Sequence, residues 1–167
     1  MIKTVKTILI FLVTVLVVAL ALTAVGCKGE TQGDIMNEYP KDQDTGLTPV
    51  LVITAGDNTF YAEFENNSSA TALIDKLKVQ PLTLDMHDYG NFEKVGSLPW
   101  SLPTNDRRIT TTAGDVILYM GSEITVYYDV NTWSFTRLAH IDGATKQALL
   151  TAFGKGNVTV TFGVEWK

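Results

Sequence analysis

The chain has a single cysteine among 167 residues and fewer basic than acidic side chains. One cysteine forms no disulfide within a chain, so a domain folded outside the cytoplasm must rely on its hydrophobic core. Lysine and arginine together number 13 against 18 acidic residues, which gives a net charge of −5. Nucleic-acid-binding domains neutralise phosphates with clustered basic residues. The composition therefore predicts that nucleic acid is not a partner.

The sequence also lacks the short motifs that identify several enzyme classes. It has no glycine-rich phosphate loop, no paired-cysteine zinc motif, no Gly-X-Ser-X-Gly turn and no His-Glu-X-X-His pair. His87 follows Asp85 by two residues and precedes Asp88, so oxygen and nitrogen ligands lie close together here. A polar turn after a strand is the favoured interpretation of that segment. We expect no metal site and no cofactor.

The start of the chain has the layout of a secretory signal. Lys3 and Lys6 precede an apolar run over residues 8–22, and small residues lead to Cys27. The sequence Ala-Val-Gly-Cys at the end of this segment resembles the lipobox of bacterial lipoproteins. In that family the cysteine sulfur receives a diacylglycerol and the preceding peptide is removed. The resemblance implies that residues 1–26 are a signal peptide and that the protein is lipid-anchored on the extracytoplasmic face of the cell membrane.

Two alternatives to lipidation remain open for this segment. The apolar run to Val25 is near the length of about 20 residues that spans a bilayer, so an uncleaved signal anchor is one alternative. Plain secretion is the other. Residues 27–48 are polar and contain several glycines and a proline, which is typical of a flexible tether. We expect one folded domain over residues 49–167, present as a monomer.

Alternating apolar and polar residues predict a mainly β domain. Strands are expected at 50–54, 60–65, 82–86, 115–120, 122–128, 134–141 and 158–164. Residues 89–108 contain several glycines and prolines, and we expect them to be mostly irregular. About eight antiparallel strands in one domain are readily accommodated by closure into a β-barrel, which leaves no exposed edges.

Two short helices interrupt the strands. The apolar spacing of residues 70, 73, 74 and 77 predicts a helix capped by Asn67 or Ser68 and unable to continue beyond Pro81. A second helix is predicted over residues 144–153, with Asp142 as its N-cap and Gly154 at its C-terminus.

Several short segments in order resemble the small bacterial cyclophilin-like domains of uncharacterised role. They are LTLDM at 82–86, YGN at 89–91, GSLP at 96–99, LPT at 102–104, AGDVILY at 113–119, FTRL at 135–138 and GNVTVTF at 156–162. The resemblance covers residues 50–165. It implies a closed eight-stranded β-barrel with a short helix at each open end.

The resemblance does not by itself identify an activity. True cyclophilins isomerise X-Pro bonds with an arginine that lies beside an apolar proline pocket, within a Phe-His-X-Arg sequence. Neither that sequence nor the Gln-Gly-Gly-Asp stretch of those enzymes occurs here. Fold alone does not determine function. We expect a domain that binds a peptide or small ligand, with a divergent peptidyl-prolyl isomerase of exported proteins as the alternative.

Two polar residues of one predicted strand are candidates for a ligand-binding or catalytic role. Arg137 lies in an apolar strand and must reach either a ligand or an ionic partner, for example Asp115 or Asp142. His140 could transfer protons, and the alternative is a hydrogen-bonded histidine at the end of the strand.

Aromatic residues supply the remaining candidates. Phe135 and Tyr119 lie on predicted strands, Trp133 near a hairpin tip and Trp100 in the proline-rich loop. Aromatic side chains at such places stack on peptides or sugars. The alternative is that each packs on the barrel and serves only stability.

Overall fold

The structure is a computed structural model that describes residues 46–167, and these form a mainly β domain. Nine strands and two helices are present in that part of the chain. The strands are β1 Pro49–Ala55, β2 Asn58–Phe64, β3 Leu82–Tyr89, β4 Glu93–Ser97, β5 Arg107–Thr110, β6 Asp115–Tyr119, β7 Glu123–Tyr127, β8 Thr132–His140 and β9 Val158–Trp166. The helices are α1 Ser68–Val79 and α2 Lys146–Phe153.

Eight of the strands close into a barrel. Neighbouring strands pair in the order β2-β1-β9-β3-β4-β7-β6-β8, and β8 pairs again with β2 to complete the ring. The closing pairs are Glu63 with His140 and Phe64 with Ala139, and the ladder continues where the Glu65 amide donates to the Leu138 carbonyl at 2.9 Å. The ninth strand, β5, lies on the same edge of β8 as β2. The predicted closed eight-stranded barrel is confirmed.

The barrel is filled by apolar side chains from every ring strand except β4 and by both helices. Leu51 and Ile53 of β1 and Phe162 of β9 are fully buried; the alternation of β9 predicts its buried face, whereas β1 is apolar on both faces. The helices contribute Leu73, Leu77, Leu149 and Phe153 to the same cluster. Full burial of each such side chain stabilises the fold by about 2 kcal/mol, so the domain has a substantial core without a disulfide.

The caps predicted for the two helices are confirmed in part. The Asn67 side chain accepts a hydrogen bond from the Ala70 amide at 2.9 Å and caps α1, as predicted. The predicted cap of α2 is wrong, because Thr145 rather than Asp142 accepts from the Ala148 amide, at 3.2 Å. Gly154 ends α2 with φ of 66°, a left-handed conformation that glycine adopts without strain.

The segment predicted to be irregular, residues 89–108, contains β4 and the start of β5. The prediction failed because β4 carries the adjacent charged residues Glu93 and Lys94, both buried, and so shows no alternation of apolar and polar residues. β8 is also longer than predicted and includes Trp133, which pairs with Ile109 of β5 instead of forming a hairpin tip.

Cys27 and the predicted signal peptide lie outside the described residues, as does most of the predicted tether. Within residues 46–167, neither helix has the length and apolar composition needed to cross a bilayer.

Candidate functional site

A cleft of about 460 Å³ lies on the outer face of the barrel wall. It is formed by side chains that point outward from β3, β4, β6, β7 and β8. Cross-strand register explains their grouping, because Tyr89, Glu93 and Tyr127 are successive Cα partners. The lining residues are His87, Tyr89, Phe92, Glu93, Val95, Tyr119, Glu123, Thr125, Tyr127, Asn131, Trp133 and Phe135.

A tight turn between β3 and β4 places Phe92 in the cleft. Gly90 and Asn91 both have φ of 58°, and the Phe92 amide donates to the Tyr89 carbonyl at 3.2 Å. A Cβ atom at Gly90 would lie 2.2 Å from the Phe92 ring, so glycine is required for both the backbone conformation and the close approach. The Phe92 ring stacks on Tyr127 with a centroid distance of 5.8 Å and an interplanar angle of 8°.

Further aromatic rings line the cleft. Phe135 lies 5.7 Å from Tyr127 and 6.2 Å from Tyr119, measured between ring centroids. At the rim, Tyr89 is 60% exposed and Trp133 is 58% exposed. Large exposed aromatic side chains beside a concave site are typical of ligand-binding surfaces.

Two polar atoms in the cleft are buried without a well-aligned hydrogen-bond partner among the described residues. They are Oε2 of Glu93 and Oγ1 of Thr125. Glu93 is only 6% exposed. Burial raises the pKa of its carboxyl, and the nearby hydroxyl groups of Tyr127 and Thr125 offset this effect in part. A buried carboxylate with an unpaired oxygen is costly for the free protein.

The charges of the cleft are predominantly negative. Glu123 is a second carboxylate in the lining and is half-buried, whereas His87 is exposed at the edge. Asn131 donates a hydrogen bond to the Tyr127 hydroxyl at 3.4 Å. Burial raises the pKa of Tyr127 above its ordinary value, so this phenol stays neutral. Across residues 46–167, no lysine or arginine side chain lines the cleft.

Arg137 and His140 lie together in a separate ionic cluster around Asp115. Nε of Arg137 is 3.1 Å from Oδ1 of Asp115, as an ion pair without the alignment of a hydrogen bond, and Nη2 donates to Oδ2 at 3.3 Å. Nδ1 of His140 lies 2.8 Å from the same Oδ1. Arg137 also contacts Glu65 at 3.4 Å. Of the described residues that line the cleft, none belongs to this cluster.

A second ionic cluster surrounds Lys94, whose side chain is fully buried. Its Nζ lies 2.9 Å from Oδ1 of Asp88 and donates to the Gly156 carbonyl at 2.7 Å. Tyr128 donates to the same carboxylate at 3.0 Å. Burial raises the pKa of Asp88, but the hydrogen bonds from Lys94, Gly156 and Tyr128 outweigh it and lower the pKa overall.

Three of the six candidate residues lie together in the outer cleft, and the other three lie outside it. Phe135, Tyr119 and Trp133 line the cleft. Trp100 is half-buried against the core, with Nζ of Lys76 5.8 Å from its ring centroid. Arg137 and His140 contact Asp115, which corresponds to the structural alternatives given for them above. No cluster of three or more potential metal ligands occurs within the described part of the chain.

Sequence reasoning missed the residues that give the cleft its chemistry, above all Phe92, Glu93 and Thr125. A signal for Thr125 was available, since it lies between Glu123 and Tyr127 on one face of a predicted strand. Glu93 offered none, because a carboxylate in a presumed loop is ordinarily exposed.

The comparisons agree with the architecture. The model of the cyclophilin-like family matches residues 53–163, which is most of the described domain. Comparisons with curated proteins and with solved structures returned no match. Since the match covers more than half of the chain and the barrel has the expected closure, this chain belongs to the cyclophilin-like family.

Proposed function

We propose that this protein is a lipid-anchored, extracytoplasmic cyclophilin-like domain that binds a peptide or small ligand in the outer cleft. The observation that carries the proposal is the cleft itself, which combines a lining of aromatic rings with buried polar atoms that lack partners. Its volume falls within the range of about 300–1,000 Å³ that is typical of small-molecule sites. Binding without catalysis is favoured because Arg137 is engaged by Asp115 and Glu65.

The three tryptophans offer a direct test of binding. The full chain, labelled with 5-fluorotryptophan and held in lipid nanodiscs, has one reporter in the cleft, Trp133, and two controls outside it, Trp100 and Trp166. Titration with free amino acids and capped tripeptides should shift the fluorine resonance of Trp133 and leave the others in place. The resonance is assigned by its loss in Trp133→Phe. A library that never moves the Trp133 signal would refute the proposal.

A divergent peptidyl-prolyl isomerase is the alternative function. The observation that favours it is the apolar part of the cleft, where Phe135 and Val95 offer a surface for a proline ring. Uncatalysed X-Pro rotation takes tens of seconds, so even weak catalysis is measurable. A protease-coupled assay with a proline peptide tests it. A rate equal to the uncatalysed one, unchanged in Arg137→Ala, excludes isomerase activity.

The lipid anchor is proposed on the sequence around Cys27. A diacylglycerol adds many buried methylene groups at about 0.8 kcal/mol each, and these hold a protein at a bilayer. Mass spectrometry of the protein isolated from bacterial membranes should find a chain that begins at a diacylated Cys27. A Cys27→Ser variant should keep its leader. An intact leader with an unmodified thiol in the wild-type protein would rule out lipidation.

A further inference from the structure

We propose that the outer cleft selects an organic cation that carries N–H donors, an ammonium or guanidinium group, and that Glu93 is its principal anchor. The inference rests on the proposed function and specifies the chemical class of the ligand. It would apply equally to a small free amine and to a lysine or arginine side chain of a peptide, because both present the same group.

The Glu93 carboxyl is buried and incompletely hydrogen-bonded. This side chain is more than nine-tenths buried and lines the cleft, and its Oε2 has no well-aligned hydrogen-bond partner among residues 46–167, although the Tyr127 and Thr125 hydroxyls are close enough to lower the pKa of the carboxyl. Buried polar atoms in folded proteins are ordinarily hydrogen-bonded. A cationic N–H donor in the cleft would satisfy the oxygen and supply its missing counter-charge in one contact.

The hydroxyl of Thr125 neighbours the Glu93 carboxyl. It is close enough to lower the pKa of that carboxyl, but its Oγ1 forms no well-aligned hydrogen bond within the described domain, and Thr125 lines the same cleft. A hydroxyl oxygen accepts hydrogen bonds, as a carboxylate does. An ammonium group has three donors and a guanidinium group has five, so one such group can serve both atoms. A quaternary ammonium ion has no N–H donor and cannot satisfy either atom in this way.

Aromatic rings line the cleft side by side. Neighbouring ring centroids are 5.7–6.2 Å apart in the spatial order Phe92, Tyr127, Phe135 and Tyr119. Faces of aromatic rings carry partial negative charge and attract cations. The same rings accept the methylene groups of an alkyl amine, so the lining suits both ends of such a ligand.

The charged side chains of the cleft favour a cationic ligand. Glu93 and Glu123 are carboxylates, and no lysine or arginine of the described residues lines the cleft. An anionic ligand would meet repulsion from both carboxylates and lose its hydration without a compensating cation. A neutral ligand would leave the charge of Glu93 without a buried counter-charge, because the imidazole of the lining, His87, is exposed at the edge.

A series of small probes separates these chemistries. Butylammonium, butylguanidinium, tetramethylammonium, butanol and butyrate are titrated into the full chain in nanodiscs, with the Trp133 fluorine resonance as the readout. The first two should bind, tetramethylammonium at least tenfold more weakly, and butanol and butyrate without measurable affinity. Glu93→Gln should weaken butylammonium binding at least tenfold, while Glu63→Gln, at an exposed position on β2, should not change it.

The source of the cation is distinguished by two capped tripeptides that differ in one residue, lysine or norleucine. A lysine peptide that binds more tightly than butylammonium indicates a peptide side chain, and equal or weaker binding indicates a free amine. The inference is overturned if butylammonium and butanol bind equally, or if Glu93→Gln leaves the Kd unchanged. A neutral peptide that moves the Trp133 resonance when no cation does would overturn the inference and leave the proposed function standing.

Discussion

Nε of Arg137 lies 3.1 Å from Oδ1 of Asp115, a carboxylate with only 1% of its side chain exposed. Asp115 also accepts from the Thr112 amide at 2.8 Å and contacts His140. The cluster joins β6 to β8 beside the strand pair that closes the barrel. We therefore expect Arg137 to stabilise the closed sheet, and the side chains that line the cleft are others.

Breaking this ion pair should destabilise the fold without abolishing ligand binding. Asp115→Asn leaves Arg137 without its nearest counter-charge, and loss of one partner of a buried pair costs about 3 kcal/mol. Urea unfolding should show that decrease in the free energy of unfolding. Below the transition, the Trp133 resonance should still respond to butylammonium. A variant that is as stable as the wild type but no longer binds would assign the cluster to function instead.

Glu93→Gln should raise stability at neutral pH by about 1 kcal/mol, because it removes a buried carboxylate with an unpaired oxygen. The pKa of Glu93 is raised above its ordinary value of 4.5, so the folded state binds its proton more tightly than the unfolded state does. The cost of the charge is therefore fully present above the folded pKa and absent below about pH 4.5.

The difference in unfolding free energy between Glu93→Gln and wild type should thus shrink as pH falls through this window. Urea unfolding at a series of pH values measures it, with Glu63→Gln as the exposed control. A difference that stays constant with pH, or a variant less stable than wild type at neutral pH, would contradict the account of Glu93.

The Asp88–Lys94 pair should give the opposite pH dependence. The pKa of Asp88 is lowered in the folded protein, so its contribution is present above the ordinary value of 3.8 and is lost as pH falls through the folded pKa. Asp88→Asn leaves the fully buried Lys94 without a counter-charge and should cost about 3 kcal/mol at neutral pH.

The stability gap between Asp88→Asn and wild type should close at pH values below the folded pKa of Asp88, as measured by urea unfolding. Asp75→Asn, at an exposed position on α1, is the matched control and should change stability by less than about 1 kcal/mol. A gap that is equally large in strong acid would show that the charge of Asp88 is not what stabilises the barrel.

Gly90→Ala should weaken ligand binding by displacing Phe92. The added Cβ would lie 2.2 Å from Cε1 of that ring, and the backbone has φ of 58°. Gly56→Ala is a close control, since its φ is 56° and its Cβ would meet nothing within 4 Å. Both variants should lose about 1 kcal/mol of stability from backbone strain.

Binding of butylammonium, followed at Trp133, should fall severalfold in Gly90→Ala and stay unchanged in Gly56→Ala. Equal affinity in the two variants would mean that the Phe92 ring does not shape the site.

The sequence predicted those parts of the fold that rest on local regularity. The alternation in β2 and β9 and the apolar spacing of α1 are direct consequences of one buried face, so their positions follow from the residues alone. The sequence predicts Asn67 or Ser68 as the cap of α1, and the structure shows that Asn67 accepts the bond from the Ala70 amide.

The cleft depends instead on long-range register, which the sequence does not display. Glu93 is buried because its strand position pairs with Tyr127, which lies 34 positions later in the chain. The Phe92 ring stacks on Tyr127 at the same place. Arg137 is conspicuous in the sequence as an arginine in an apolar strand, but the sequence does not identify its ionic partner and offers Asp115 only as one example beside Asp142. The sequence shows which residues are charged, whereas the ionic partner of each one depends on how the strands pair in the closed sheet.

The most direct test is a crystal structure of the protein grown with the capped lysine tripeptide. The account predicts the lysine ammonium nitrogen about 3 Å from a carboxylate oxygen of Glu93, with its methylene groups against Tyr127 and Phe135. A peptide bound at the Arg137–Asp115 cluster, with the outer cleft empty, would contradict it.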